Sequence, residues 1–261
     1  MILAIDIGNT NIVLGCFDQE KLIFRERISS NRVATDLEYA AMIKTALEMY
    51  GAAPGQVTGA ILSSVVPPIT DTLKRAVEKM TGVKVMVIGP GIKTGLSIQI
   101  DNPAQLGSDL VADAVGGISE YPLPQIIIDM GTATTFSVID KNRAYIGGMI
   151  TTGMAVSAEA LARNTSQLSK VDFEKPRKLI GTNTVDCIKS GIMYTTACGL
   201  DGMIERIEEE LGEKCTVIAT GGLAPLIMPL CRRKMILDED LILKGLLSVY
   251  TVSYTHLRAH E

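Results

Sequence analysis

The chain has 261 residues, of which 47% are hydrophobic and 21% charged, a balance typical of a globular protein with one large domain or two smaller ones. Its formal charge of −4 and pI near 5.4 argue against binding to nucleic acid or to an anionic membrane. No stretch reaches the roughly 18 apolar residues that a membrane-spanning helix needs.

Few residue types remain for acid–base chemistry. Both histidines, His256 and His260, lie at the very end of the sequence. This argues against a Ser-His-Asp hydrolase and against a histidine-rich zinc site. Five cysteines are present without a CxxC pair, so we expect reduced thiols and a cytoplasmic location.

The first half of the chain predicts alternating strands and helices. A buried strand from Ile2 ends in the motif Asp-Ile-Gly-Asn-Thr-Asn over residues 6–11, and a second strand covers residues 12–17. Thr35 and Glu38 form a capping-box pattern for a helix over residues 36–50. The remaining predicted elements are a strand at 59–62, a helix from Pro68 to residue 80, a strand at 83–88 and a helix at 109–117.

The second half repeats the opening pattern. Residues 126–135 read Ile-Ile-Ile-Asp-Met-Gly-Thr-Ala-Thr-Thr, again an apolar run that ends in Asp-x-Gly. Strands are predicted at 136–139, 144–150 and 216–220, and helices at 155–164, 183–211, 223–230 and 240–250. Two related α/β domains follow from this repeat.

The two Asp-x-Gly turns are suited to binding a nucleotide. A glycine after a strand lets successive backbone N–H groups point at one phosphate oxygen. Asp6 repels phosphate, so it needs a cation between them, and a magnesium–nucleotide complex is the expected ligand. Gly221 and Gly222, after the strand at 216–220, form a third turn where a nucleoside can approach the backbone.

These features predict an α/β fold of two tandem ribonuclease H-like (actin-like ATPase) domains with an active-site cleft between them. We place the first domain at residues 1–118 and the second at 119–251. Residues 252–261 continue no periodicity and are interpreted as a disordered or non-native tail.

Six motifs, in order over roughly residues 1–250, resemble those of type III pantothenate kinases. They are Asp-x-Gly-Asn-Thr at 6–10, Asn-Pro at 102–103 leading to Gly-Ser-Asp at 107–109, Asp-x-Gly-Thr-Ala-Thr at 129–134, Gly-Gly-Met-Ile at 147–150, Gly-Thr-Asn-Thr at 181–184 and Thr-Gly-Gly at 220–222. The resemblance implies transfer of the ATP γ-phosphoryl group to the primary hydroxyl of pantothenate, the first step of coenzyme A synthesis.

The resemblance also implies roles for single residues. Asp109 is the catalytic base, and Asp129 holds a monovalent cation, potassium or ammonium, beside Mg²⁺-ATP. The ATP-binding residues are Asp6, Ile7, Gly8, Asn9, Thr10, Asn11, Ile12, Val13, Thr132, Gly221 and Gly222. The pantothenate-binding residues are Gly107, Ser108, Asp109, Leu110 and Thr184. The resemblance further implies a homodimer, with the acceptor site at the interface between the subunits.

Departures from the family pattern concentrate on the acceptor side. Leu110 occupies the position of a usual arginine, and Ile100 that of a common tyrosine. Thr152 replaces a usual proline, and Thr195 and Thr196 stand where a glycine is typical. Loss of a charged hydrogen-bond donor to a ligand costs about 1.5–3 kcal/mol of binding free energy. Of the predicted properties, these departures therefore affect the affinity for pantothenate most.

Two alternatives to a pantothenate kinase stay open from the sequence. One is a kinase of the same fold for another small hydroxylated acceptor. The other is a non-catalytic family member that binds a partner, of the transcriptional accessory-factor type. The presence of Asp6, Asp109 and Asp129 argues against the non-catalytic alternative.

Overall fold

A computed structural model describes residues 1–89, 92–165 and 171–258, with side chains described up to residue 253. The chain forms two compact units: unit 1 comprises Met1–Glu120 and Asp240–Glu261, and unit 2 comprises Tyr121–Glu239. Among the helices of the described ranges, none has the length and apolar character required to cross a membrane.

The secondary structure alternates strands and helices in both units. Unit 1 contains β1 (Ile2–Ile7), β2 (Asn11–Asp18), β3 (Lys21–Ser29), α1 (Asp36–Met49), β4 (Gly59–Ser64), α2 (Pro67–Thr81), β5 (Val85–Val87), β6 (Ser97–Ile98), α3 (Ser108–Glu120) and α7 (Leu241–Arg258). Unit 2 contains β7 (Gln125–Met130), β8 (Ala133–Ile139), β9 (Ala144–Thr152), α4 (Met154–Arg163), α5 (Thr184–Leu211), β10 (Thr216–Thr220), α6 (Ala224–Ile227) and β11 (Ile236–Leu237).

The sheets of the two units share one topology, which confirms the predicted internal repeat. In unit 1 the strand order is β3-β2-β1-β4-β5, and the corresponding run in unit 2 is β9-β8-β7-β10-β11. In both, the first three strands pair antiparallel and the other pairings are parallel. Asp6 and Asp129 therefore occupy equivalent positions, each next to last in the first strand of its sheet.

The unit 1 sheet is covered on both faces. Helices α1 and α2 pack on one face around fully buried Leu3, Ile5 and Ile43, while α3 and α7 pack on the other around Ala4 and Ile61. The predicted capping box at the start of α1 is confirmed, because the Thr35 hydroxyl accepts from the Glu38 N–H and the Glu38 carboxylate accepts from the Thr35 N–H.

Helix α7 packs in unit 1, whereas the sequence-based division kept residues 240–250 with the second domain. Its contact with α3 is made through glycine: a Cβ added at Gly245 would lie 1.8 Å from the Ala112 carbonyl oxygen. Gly15 of β2 likewise accommodates Leu243, which is fully buried. Such contacts between residues far apart in sequence leave no local pattern, so the periodicity alone could not assign this helix to a unit.

Helix α7 also extends beyond the predicted end at residue 250, so residues 252–258 are helical rather than a disordered tail. The buried face of this helix includes Leu246 and Val249 and extends to Ser253, whose hydroxyl donates to the Lys93 carbonyl at 3.1 Å. Through this face the helix packs against the rest of unit 1. The predicted tail at 259–261 lies outside the described residues.

Candidate active site

The turn between β1 and β2 has the tight geometry predicted for a phosphate-binding loop. The Gly8 N–H donates to the Asn11 carbonyl at 3.0 Å, and an added Cβ at Gly8 would lie 3.1 Å from that oxygen. The Ser30 hydroxyl donates to the Gly8 carbonyl at 2.6 Å and braces the loop from beyond β3. Asn9, Thr10 and Asn11 are exposed at this turn.

Asp6 is held at the end of β1 by the neighbouring parallel strand. It pairs in register with Ser63 of β4, and the fully buried Ser63 hydroxyl donates to its carboxylate. This contact orients the carboxylate at the edge of the sheet. Ile7 and Ile12 are fully buried, so their side chains support the turn and only their backbone can face a nucleotide; Val13, the register partner of Asp6, is half-buried.

Asp109 lies in the first turn of α3, close to the same edge of the unit 1 sheet. Burial raises the pKa of its carboxyl, and backbone N–H groups of Leu110 and Asp109 itself act in the opposite direction. A Cβ at Gly107 would lie 2.4 Å from an Asp109 carboxylate oxygen, so glycine is required for this conformation of the acid. Leu110 is half-buried in the same turn.

Unit 2 carries the second Asp-x-Gly turn. Here the Gly131 N–H donates to the Ala133 carbonyl at 3.0 Å, and Thr132 is exposed at the tip. The Gly153 N–H donates to the Thr132 carbonyl at 3.1 Å, and an added Cβ at Gly153 would lie 2.3 Å from the same oxygen. The segment after β9 therefore packs directly on the turn.

The Thr-Gly-Gly turn contacts Asp129 from the other side. Thr220 pairs in register with Asp129, and Gly221 follows with a φ of +87°. An added Cβ at Gly221 would lie 2.4 Å from an Asp129 carboxylate oxygen. The structure thus brings Asp129, Thr132 and Gly221 together in unit 2, with Gly222 exposed beside them.

Thr184, the remaining predicted pantothenate contact, is exposed at the start of α5. Asn183 caps this helix, because its side-chain oxygen accepts from the Asp186 N–H at 2.9 Å. Gly181 packs against the first turn, where an added Cβ would lie 2.5 Å from the Cys187 nitrogen. The Gly-Thr-Asn-Thr motif thus builds a helix start in unit 2.

Sequence reasoning missed four residues that support the two turns: Ser30, Ser63, Ser64 and Gly153. Ser63 pairs in register with Asp6 as Thr220 does with Asp129, and Ser64 and Gly221 are the residues that follow them. Polar residues directly after the apolar run 59–62 were the available signal for the serines. For Ser30 and Gly153 the contacts depend on tertiary structure, and no local pattern indicated them.

Comparison with known proteins extends the match beyond these motifs. Residues 2–206 match the family model of type III pantothenate kinases. A type III pantothenate kinase from Bacillus cytotoxicus is 44% identical over 250 residues, which cover 96% of this chain and 95% of that protein.

Solved structures resemble the chain over nearly its whole length at low sequence identity. A Baf family transcriptional activator from Campylobacter jejuni has a TM-score of 0.60 and 18% identity, and covers 97% of this chain and 99% of its own. An activator of the 2-hydroxyisocaproyl-CoA dehydratase from Clostridium difficile, with bound ADPNP, has a TM-score of 0.59 and 14% identity, with 99% and 96% covered. At these identities the likeness concerns the fold alone.

The repeated sheet topology, the paired Asp-x-Gly turns and these structural neighbours define a protein of the actin-like ATPase fold, built from two α/β domains, which confirms the predicted fold class. Within that class, the chain belongs to the type III pantothenate kinase family.

Proposed function

We propose that this protein is a pantothenate kinase that transfers the γ-phosphoryl group of ATP to the primary hydroxyl of pantothenate, the first step of coenzyme A synthesis. The family match over residues 2–206 carries this proposal. The placement of Asp109 at the sheet edge next to the Asp6 turn supports it, since both a base and a nucleotide loop are needed for the reaction.

Asp109 acts on the acceptor hydroxyl in this proposal. Phosphoryl transfer passes through a loose transition state, so the base mainly orients the hydroxyl and accepts its proton late. Burial of the carboxyl, which raises its pKa, makes the ionised form a stronger base than an exposed aspartate. Gly107, Leu110 and Thr184 are also proposed to contact the acceptor, with an apolar contact from Leu110 where an arginine is usual.

The proposed ATP-binding residues lie in the turn regions described above. They are residues 7–13, of which the buried Ile7 and Ile12 offer only backbone N–H groups, together with Thr132, Gly221 and Gly222. The Asp6 carboxylate, oriented by Ser63, is suited to Mg²⁺ or its bound water, because hard cations prefer oxygen ligands. Mg²⁺ supplies charge neutralisation on the phosphates. In the described part of the chain, no group of three or more His, Cys, Asp or Glu side chains is placed to hold a metal ion.

A monovalent cation, potassium or ammonium, is proposed at Asp129. The proposal is supported by the carboxylate of Asp129, an oxygen ligand of the kind that hard cations prefer, and by Gly221, which approaches this carboxylate more closely than a residue with a Cβ could. The cation would offset negative charge near the phosphates while Asp129 fixes its place.

Replacing Asp129 by alanine is expected to remove most of the dependence on potassium, because the proposed ligand is lost. In Asp129→Ala, turnover measured with and without potassium should differ by less than about twofold. This remaining effect is small compared with the roughly hundredfold or greater loss of kcat that removal of one electrostatic contact can cause. Asp172→Ala, which removes an exposed aspartate of the same unit, serves as the control and should respond like wild type. An unchanged potassium response in Asp129→Ala would contradict the cation site.

The experiment that tests the proposed function is coupled ADP release by the purified protein with Mg²⁺-ATP and potassium, in the presence and absence of pantothenate. We expect ADP release that depends on pantothenate, with one phosphorylated pantothenate formed per ADP. ATP binding without any stimulation by pantothenate would overturn the proposed substrate and leave the fold assignment intact.

A homodimer is proposed from apolar side chains exposed in unit 2. Leu179 and Ile180 are 61% and 78% exposed just before α5, and Val185 in its first turn is 41% exposed. The Ser190 hydroxyl donates to the Leu179 carbonyl and holds this segment against the helix. A second copy of the chain would remove these side chains from water and, in this proposal, cover the acceptor site.

Ile180→Asp is therefore expected to weaken the dimer, because a charge would replace a large apolar side chain at the contact. Size-exclusion chromatography with light scattering should give a dimer mass for wild type and a shift towards monomer for this variant. Val33→Asp places the same charge on an 86% exposed valine of unit 1 and should remain dimeric. A wild-type monomer, or equal behaviour of the two variants, would refute the proposed surface.

A cytoplasmic location is proposed from the cysteines. All five thiols are free in the structure: Cys16, Cys187, Cys198, Cys215 and Cys231. Disulfides are rare in the reducing cytoplasm, so free thiols agree with that compartment. Neither nucleic acid nor membrane is proposed as a partner.

A further inference from the structure

The hydroxyl of Ser108, in the residue before Asp109, binds the backbone of the sheet. It accepts a hydrogen bond from the Ser64 N–H at 3.0 Å and donates one to the Ser64 carbonyl at 3.1 Å. Ser64 is the last residue of β4 and Ser108 the first residue of α3. A hydroxyl has a single proton to donate, so this side chain has no second one to offer a ligand while the bridge is formed.

The end of β4 is itself fixed on two sides. The Ser64 hydroxyl accepts from the Val66 N–H at 3.0 Å and from the Thr70 hydroxyl at 2.7 Å, which ties it to the start of α2. The Val65 N–H donates to the Ile7 carbonyl at 3.1 Å, which ties it to the end of β1. The Ser64 backbone, to which the Ser108 hydroxyl is hydrogen-bonded, is therefore a well-anchored part of the unit 1 sheet.

The same strand end also holds the nucleotide side of unit 1. Ser63, directly before Ser64, donates its hydroxyl to the Asp6 carboxylate. Two consecutive serines of β4 thus serve the two proposed functional acids. The Ser63 side chain contacts Asp6, and the Ser64 backbone contacts Ser108, the residue before Asp109. In contrast, residues 101–105 before α3 are all exposed and offer the start of the helix little packing support.

We propose that Ser108 is a positioning residue: its hydroxyl fixes the first turn of α3 to the end of β4, so that Asp109 stands at a constant place relative to Asp6. This inference rests on the proposed function, since it needs Asp109 as the base. It replaces direct contact with pantothenate as the role of Ser108. Catalytic geometry is sensitive to such support, because a displacement of about 1 Å can cost a hundredfold in rate.

The test compares Ser108→Ala with Ser119→Ala. Both remove one serine hydroxyl from α3, but the Ser119 hydroxyl donates only within the helix, to the Gly116 carbonyl at 2.9 Å. We expect kcat to fall about tenfold to a hundredfold in Ser108→Ala, with KM for ATP and for pantothenate changed less than about twofold. Ser119→Ala should keep wild-type kinetics, and Ser108→Thr, which retains a hydroxyl, should recover most of the lost kcat.

A double-mutant cycle with Asp109→Asn separates positioning from direct contact with substrate. If Ser108 acts through Asp109, adding Ser108→Ala to Asp109→Asn should lower the residual rate by less than about twofold. Multiplication of the two effects, or a raised KM for pantothenate with unchanged kcat, would instead support a contact with substrate and overturn the proposal.

Three further outcomes are decisive. Full turnover in Ser108→Ala, with an active wild type, overturns the positioning role alone. Unfolding of Ser108→Ala by circular dichroism, together with loss of ATP binding, overturns it in favour of a purely structural role. A wild type without pantothenate-dependent ADP release overturns the proposed function itself, and the role of Asp109 with it.

Discussion

Asp109→Asn is expected to lower kcat for pantothenate phosphorylation by about a hundredfold to ten-thousandfold, the range in which a general base contributes. The amide keeps the size and shape of the side chain but cannot accept the proton of the acceptor hydroxyl. ATP binding should persist, because the proposed nucleotide contacts of unit 1 lie in the turn after Asp6. Steady-state kinetics and calorimetric titration with a non-hydrolysable ATP analogue measure the two quantities separately.

The matched control for this change is Asp71→Asn. Asp71 is an exposed aspartate on α2 of the same unit, so its replacement tests the effect of losing one carboxylate charge. Wild-type kcat is expected for the control. Near-normal turnover in Asp109→Asn would rule out the assigned base, and loss of ATP binding in that variant would point to a structural fault.

The pH profile gives an independent check on Asp109. Burial, the largest influence, raises its pKa above the ordinary value of 3.8, and only the ionised form can accept a proton. Activity should therefore fall as the pH drops through a value above 3.8, and kcat/KM should show an acid limb there. The residual activity of Asp109→Asn should lack this limb. An identical limb in the variant would assign it to another group.

The fold and the two Asp-x-Gly turns were predictable because they leave local patterns. An apolar strand that ends in Asp-x-Gly marks both Asp6 and Asp129, and the structure places the two acids at equivalent positions of one repeated topology. The helix over 183–211 was predictable for the same reason, since its cap, Asn183, and its closing residue, Gly212, lie next to it in sequence.

The supports of the site were not predictable, because each joins segments far apart in sequence. Ser64 and Ser108 are 44 residues apart, and Ala112 lies against Gly245 of α7. A serine at a strand end or a glycine in a helix has many other uses, so neither residue indicates its partner.

Gly221→Ala is expected to lower both the free energy of unfolding and kcat/KM for ATP. Its φ of +87° disfavours any side chain, at a cost of about 1–2 kcal/mol. The added Cβ would also lie 2.4 Å from an Asp129 carboxylate oxygen and 2.6 Å from the Met130 nitrogen. Forcing these groups apart adds about 1–3 kcal/mol. Because Asp129 must then move, kcat/KM for ATP should fall at least about tenfold.

Gly212→Ala separates backbone strain from this collision. Gly212 ends α5 of the same unit with a φ of +71°, and nothing lies within 4 Å of an added Cβ there. Urea unfolding should show a loss of about 1–2 kcal/mol in Gly212→Ala and a larger loss in Gly221→Ala, while only the latter impairs kcat/KM for ATP. Equal losses of unfolding free energy, with normal kinetics in both variants, would mean that Gly221 is needed only for the backbone conformation of the Thr-Gly-Gly turn. Loss of ATP use in Gly221→Ala alone would make its close approach to Asp129 part of the nucleotide site.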